Sequence, residues 1–389
     1  MEPAFVGTLP ADGDASSTFQ STSTTGLSSA QSDDEGSGDS QMTHDDEGST
    51  SHASTSSEST QESSSSTTSE SSTPTQMYRL RVDNGESGGQ IGTDSALMVR
   101  VDHAAMVAAG ADPTGADLWL MYTRDNGQRI KMARALDFDS AWNRPDTKIW
   151  FLAAGVVDEG RGDEEHFTLE IGSENGPSVD EPDRVFFFWD DFEQSEASAE
   201  KWRFDGSDGA SFEVGDGSLF LHIANANTAA YAHLFAESGH RGVDPRLEVR
   251  SRKSIQGDLL DCRYAVPAGF AIEENSRLSE AIYAGERAIY AYGDNGLLGG
   301  RTRLNNGIAD NAIHDYFLLF RGLLVDFGQD AVALENHVRA MDPAETIVFP
   351  YFGLEMPGAC TSGDPMELEV MWIRVRQGFV RDPVVEILP

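Results

Sequence analysis

Carboxylates, histidines and a few aromatics are the side chains here with chemical potential, and their spacing limits what each can do. A glycosidase on a β-sheet needs two carboxylates about 5–10 Å apart on one face, which a strand supplies at alternate positions. Glu367-Leu368-Glu369 has that spacing but lies on what reads as a closing strand, and Glu273-Glu274 are adjacent and face apart. With 65 acidic residues in the chain, solvated surface carboxylates account for both pairs, and an enzyme is disfavoured. If Leu219–Ile223 and Ala230–Phe235 form a hairpin about their central loop, His222 meets His233, a pairing that can hold a transition metal or sense pH. Asp205-Gly206-Ser207-Asp208-Gly209 resembles a fragment of a calcium loop, as do Asp216-Gly217 and Asp294-Asn295-Gly296. None has the alternating oxygen donors and terminal Glu of an EF-hand, and turn chemistry explains them, with calcium on Asp205 and Asp208 left open.

Aromatics offer a different chemistry, because an exposed ring can stack on the C–H face of a sugar. Trp119, Trp150, Trp189 and Trp372 lie inside apolar runs and read as core, whereas Trp142 and Trp202 sit near loops. Tyr290 and Tyr292 share one strand face and form a platform if that face is exposed. No zinc-protease helix, nucleophile elbow, P-loop or dinucleotide fingerprint occurs. Cys262 and Cys360 read either as buried thiols or, in an exported protein, as a disulfide.

The elements that must carry these residues are almost all strands. Residues 1–76 are a different material, with 35 Ser or Thr, 13 Asp or Glu and no Lys or Arg, and they cannot bury enough apolar surface to fold. They predict a disordered acidic tether spanning roughly 50 Å. From Tyr78 onward short alternating runs recur between turn residues, such as Arg124-Asp125-Asn126-Gly127 between Ala116–Tyr122 and Arg129–Leu136. One short stretch, His103–Ala109, has helical composition, and Arg184–Trp189 reads as a strand buried on both faces. The expected class is all-β: two antiparallel β-sandwiches, residues 77–183 and 184–389, after the tether.

The net charge of −37, of which the tether supplies −13, repels phosphate backbones and makes nucleic acid an unsuitable partner. No apolar stretch is long enough to span a bilayer, and no signal peptide is visible.

Tyr78-Arg79-Leu80, Gly115-Ala116-Asp117-Leu118, Thr147-Lys148-Ile149-Trp150 and Ile171-Gly172-Ser173 together resemble the bacterial domain of unknown function family 2341. Phe188-Trp189-Asp190-Asp191-Phe192, Lys201-Trp202, Gly217-Ser218-Leu219 and Met371-Trp372-Ile373-Arg374-Val375-Arg376 resemble a concanavalin A-like lectin/glucanase sandwich. The resemblance covers nearly all of residues 77–389 and implies a jelly roll for the second sandwich and a secreted or cell-surface setting. It implies no reaction and no catalytic residue. Related sandwiches often place an Asp where this chain has Met371, a poor ligand for a hard cation, so a structural calcium of that type is not expected. The functional expectation is therefore a non-catalytic module that recognises a glycan or another surface partner. A structural envelope spacer and a carbohydrate-active hydrolase or lyase are the alternatives.

Overall fold

The computed structural model describes residues 76–389 except 173–176, 225–228, 242–243, 256–262, 273–277, 286–287, 295–298, 305, 339–341, 344 and 357–363. All of them belong to the unit Glu70–Pro389. The tether, Glu273, Glu274, Cys262 and Cys360 lie outside the described residues, as do Asn295 and Gly296.

Alternation of apolar and polar residues builds the first sheet. In Gln76–Asp83, Leu80 and Val82 are fully buried while Arg79 faces out. Nine strands curl around a core that includes Val99, Ile149, Phe151, Phe167 and Leu169. Its hairpin turn closes with the Gly127 N–H on the Arg124 carbonyl, 2.8 Å, and Gly127 takes the positive φ of 79° that the turn requires. The strand Val384–Ile387, from the far end of the chain, pairs antiparallel with Gln76–Asp83 and touches Ala96–Val101 through Val99 and Val385.

Two further antiparallel sheets pack face to face, giving the expected concanavalin A-like jelly roll. The eight-stranded sheet runs Ala210–Gly215, Ser218–Ile223, Met366–Gln377, Pro245–Ile255, Ile313–Arg321, Leu324–Gln329, Val332–Val338, with Phe188–Asp190 also paired to Met366–Gln377. The seven-stranded sheet runs Trp202–Gly206, Ala230–Ala236, Phe349–Met356, Tyr264–Ala271, Leu278–Ala284, Ile289–Asp294, Gly299–Leu304. Between them lie Leu221, Val249, Phe320, Phe327 and Leu368 from one side and Leu234, Phe270, Ile282 and Phe352 from the other. Only three short helices occur among the described residues: His103–Ala108, Pro182–Val185 and Ser195–Glu200. The apolar run from Arg184 is thus not one strand. Its first part ends a helical turn that Pro182 starts, and only Phe188–Asp190 pairs. None of the helices is long and apolar enough to cross a membrane.

The first sheet covers the middle of the eight-stranded sheet's outer face, around Trp372, Arg374 and Arg250. An aromatic ladder joins them: Trp372 to Phe138 at 4.6 Å between ring centroids, Phe138 to Trp189 at 3.7 Å, and Trp189 to Phe186 at 4.9 Å. Beside it Arg374 donates to Asp137 at 2.8 Å and to Glu248 at 2.6 Å. Arg376 meets Glu248 at 3.2 Å and Asp382 at 2.8 Å. These arginines hold the buried Glu248 carboxyl well below the usual carboxylate range against the opposing effect of burial.

Candidate functional site

The outer face of the seven-stranded sheet carries a second cluster of aromatic and titratable groups, in which Phe235, Tyr283 and Tyr351 are buried and Tyr264, Tyr290 and Tyr292 half-buried. Period-two alternation puts the apolar partners Leu234, Phe352 and Ile282 into the core and sends His233, Tyr351 and Tyr283 outward. Across the strands Asp205 lies directly opposite His233, His233 opposite Gly353, Phe235 opposite Tyr351, and Tyr231 opposite Glu355. Farther along, Tyr283 is opposite Tyr290 and Ala281 opposite Tyr292.

Gly353 makes this arrangement possible. A Cβ there would stand 2.6 Å from the Tyr351 hydroxyl, so the bare backbone lets that ring lie across the strand. Tyr351 packs at 5.4 Å from the His233 ring and 5.1 Å from Phe235. Tyr283 stands 5.8 Å from Tyr264 and 5.4 Å from Tyr292, which makes a continuous tyrosine floor.

Glu355 is the carboxylate at its centre. The Tyr283 hydroxyl donates to Glu355 Oε1 at 2.9 Å. His233 Nε2 lies 3.7 Å from the same oxygen, beyond hydrogen-bond range, and is buried with no hydrogen-bond partner. Burial lowers the His233 pKa to about 4, a depression that nearby Asp205 only partly opposes. Its imidazole is neutral near pH 7, so its approach to Glu355 there is not an ion pair. Burial and the Glu355 charge push the Tyr351 hydroxyl well above its ordinary pKa, which keeps it protonated as a donor. A neutral imidazole, a carboxylate oriented by a phenol and protonated tyrosines are groups that can exchange protons with a bound substrate.

Several expected site residues fall elsewhere. His222 and His233 do not pair, because Ser218–Ile223 and Ala230–Ala236 belong to opposite sheets. His222 instead approaches Glu367 at 3.4 Å, and His233 faces Asp205. Asp208 stays in an exposed turn past the end of the strand that carries Asp205. No three His, Cys, Asp or Glu side chains converge as a metal site among the described residues. Trp202 is core, its indole N–H donating to Asp190 at 2.9 Å, so its place near a loop misled. Trp142 is half-buried, lying edge-on to His103 with Arg134 over its ring. Tyr290 and Tyr292 do share the outer face, half-buried among the other tyrosines. Glu367 and Glu369 project from the other sheet, near His222 and Arg252 respectively.

Sequence reasoning missed Glu355, Tyr351 and Tyr283. The signal was Tyr351-x-Gly353-x-Glu355, an alternation that puts these three residues on the strand face opposite Phe352 and Leu354.

Comparison with known proteins finds no matching family model and no similar curated protein. Solved structures do match about half of the chain. One is an endo-acting O-glycanase of the human gut microbiota that initiates mucin breakdown, at 14% identity, TM-score 0.39, 50% of this chain and 99% of that one. Another is the catalytic domain of an endo-1,3-β-glucanase (laminarinase) from Thermotoga petrophila, at 12% identity, TM-score 0.37, 50% and 97%. A third is a non-specific endo-β-1,3(4)-glucanase of family GH16, at 14% identity, TM-score 0.37, 49% and 90%. These solved structures are glycan-cleaving enzymes and not non-catalytic binding modules, so the expectation of such a module is withdrawn. The sequence had offered only separated carboxylates, whereas the folded sheet gathers a carboxylate, an imidazole and phenols on one face. What these comparisons share with the chain is a jelly-roll sandwich resembling those of glycan-cleaving enzymes.

Proposed function

We propose that the chain is a carbohydrate-active enzyme, a glycan hydrolase working on the outer face of the seven-stranded sheet. The observation that carries this reading is Glu355, oriented by the Tyr283 hydroxyl at 2.9 Å and 3.7 Å from the unpartnered Nε2 of His233, on a floor of tyrosines. The half-buried rings of Tyr264, Tyr290 and Tyr292 supply stacking surface for sugars beside the buried Tyr283 and Tyr351. Asp205 is the second carboxylate on that face, two strands from Glu355. Asp205 is in register with Gly353, two residues along the strand from Glu355, so two strand spacings and two residues put about 12 Å between their backbones, too far for a close nucleophile pair.

Elimination is the second reading, favoured by the neutral His233 imidazole packed against Tyr231 at 4.8 Å and Tyr351 at 5.4 Å. A base and a phenolic acid on one face suit proton abstraction beside a uronate carboxyl. The same reading takes a glycan as partner, a secreted or cell-surface setting, and a family 2341-like domain for the first sheet.

The test is incubation of residues 70–389 with a panel of neutral and acidic polysaccharides, followed by chromatography of the products. Saturated oligosaccharides support hydrolysis, and unsaturated ones support elimination. Glu355→Gln should lower turnover at least about a hundredfold in either case. A panel that stays intact, or a Glu355→Gln variant as active as the parent, overturns the proposal.

A further inference from the structure

The cavity between the first sheet and the outer face of the eight-stranded sheet, on the side of the sandwich away from the tyrosine floor, has uncommitted chemistry of its own. It encloses about 390 Å³, within the range of small-molecule sites. Trp150, Trp372 and Phe317 give it aromatic walls.

Its carboxylates are already engaged. Asp137 accepts from Arg374, Glu248 from Arg374 and Arg376, and Asp382 from Arg376. Asp139 and Asp315 are both held by Arg250. What remains is positive. Arg100 and Lys148 line the cavity, stand directly opposite each other on neighbouring strands, and have no carboxylate partner among the described residues. Like charges placed opposite across a strand pair are destabilising, and a chain of net charge −37 has acidic residues enough to pair them. A second observation is independent of those cations. Trp372 is 9% exposed, lines the cavity, and its indole N–H is buried with no hydrogen-bond partner. A buried donor left without an acceptor costs stability unless a bound group supplies one.

We propose that this cavity is a binding site for a small organic anion of one or two sugar rings that carries a carboxylate or a sulfate. Its acidic group lies between Arg100 and Lys148, an oxygen accepts from the Trp372 indole, and its apolar face rests on the aromatic walls. Arg100 is exposed, so the charged end of the site opens to solvent. The site shares no residue with the tyrosine floor and stands whether or not that floor is catalytic.

Calorimetric titration of the full chain with glucuronate, glucose 6-sulfate, glucose and inorganic sulfate tests it. Glucuronate or glucose 6-sulfate should bind at least about tenfold more tightly than glucose and than inorganic sulfate. Arg100→Gln and Lys148→Gln should each weaken that binding about tenfold or more while leaving the ligand-free protein equally stable or slightly more so, because they relieve repulsion. Trp372→Phe removes the donor and keeps the ring, and should weaken binding several-fold without loss of fold, as judged by the thermal transition. Glucose binding as well as glucuronate overturns the proposal, as does inorganic sulfate matching the sugar acid, absence of binding by both anionic sugars, or variants that bind as the parent does.

Discussion

The two outer faces of the jelly roll have been put to opposite uses. On the eight-stranded side, charges close on each other: Arg374 and Arg376 share Glu248, and stacked rings from Trp372 through Phe138 to Trp189 bind the first sheet down. On the seven-stranded side Phe235, Tyr283 and Tyr351 are buried in an aromatic cluster, and at least one polar group there is left unmatched. His233 Nε2 has no hydrogen-bond partner, and Glu355 accepts from the Tyr283 phenol at 2.9 Å. The contrast shows where each face spends its interactions. Satisfied networks such as that around Glu248 fix one geometry, whereas under-satisfied groups, His233 Nε2 on one side and the Trp372 indole N–H on the other, remain available to a ligand.

Three changes test that contrast, beginning with the most severe. Arg374→Met leaves Asp137 and Glu248 buried with less compensation and should cost about 3–5 kcal/mol in denaturant unfolding. A loss under about 1 kcal/mol would mean that the covered face is held by its aromatic ladder alone. Next, His233 binds its proton less readily folded, at about 4, than at its ordinary 6.5, so the unfolded chain takes up more protons between those values. The stability that this group contributes is present above about pH 6.5 and lost as pH falls toward 4, on the order of 2–3 kcal/mol. His233→Gln should lose less over that window than the parent, and the difference between the two unfolding curves isolates this histidine from the other titrating groups. Parallel curves would show that the imidazole is not desolvated. The smallest stability effect belongs to Tyr290→Ala, at about 1 kcal/mol or less for a half-buried ring at the margin of the floor. Its effect on polysaccharide turnover should be several-fold, which separates a sugar platform from a packing residue.

Strands were legible in the sequence because burial on one face imposes alternation, as Ser218–Ile223 and Ala230–Ala236 illustrate. Their partners were not. Those two strands adjoin in sequence and read as a hairpin, yet Ser218–Ile223 pairs with Met366–Gln377 and Ala230–Ala236 with Phe349–Met356, both more than a hundred residues downstream. Nothing local encodes such pairings, and the supposed His222–His233 site vanished with the hairpin. Tyr290 and Tyr292 could be placed on one face because that rests on spacing alone. Trp202 could not be told from a loop residue, because its burial depends on Asp190 accepting its N–H from another segment. Glu355 was hidden for a related reason: its neighbours Leu354 and Met356 are core, and only the assembled sheet brings Tyr283 and His233 to it.

The strand Val384–Ile387 is sewn into the sheet that begins at Gln76, beside Val82 and Val99. During synthesis the early part of that sheet must therefore wait, its edge unsealed, until about 300 further residues have left the ribosome. The jelly roll can begin to assemble in the meantime, and the first sheet is finished last.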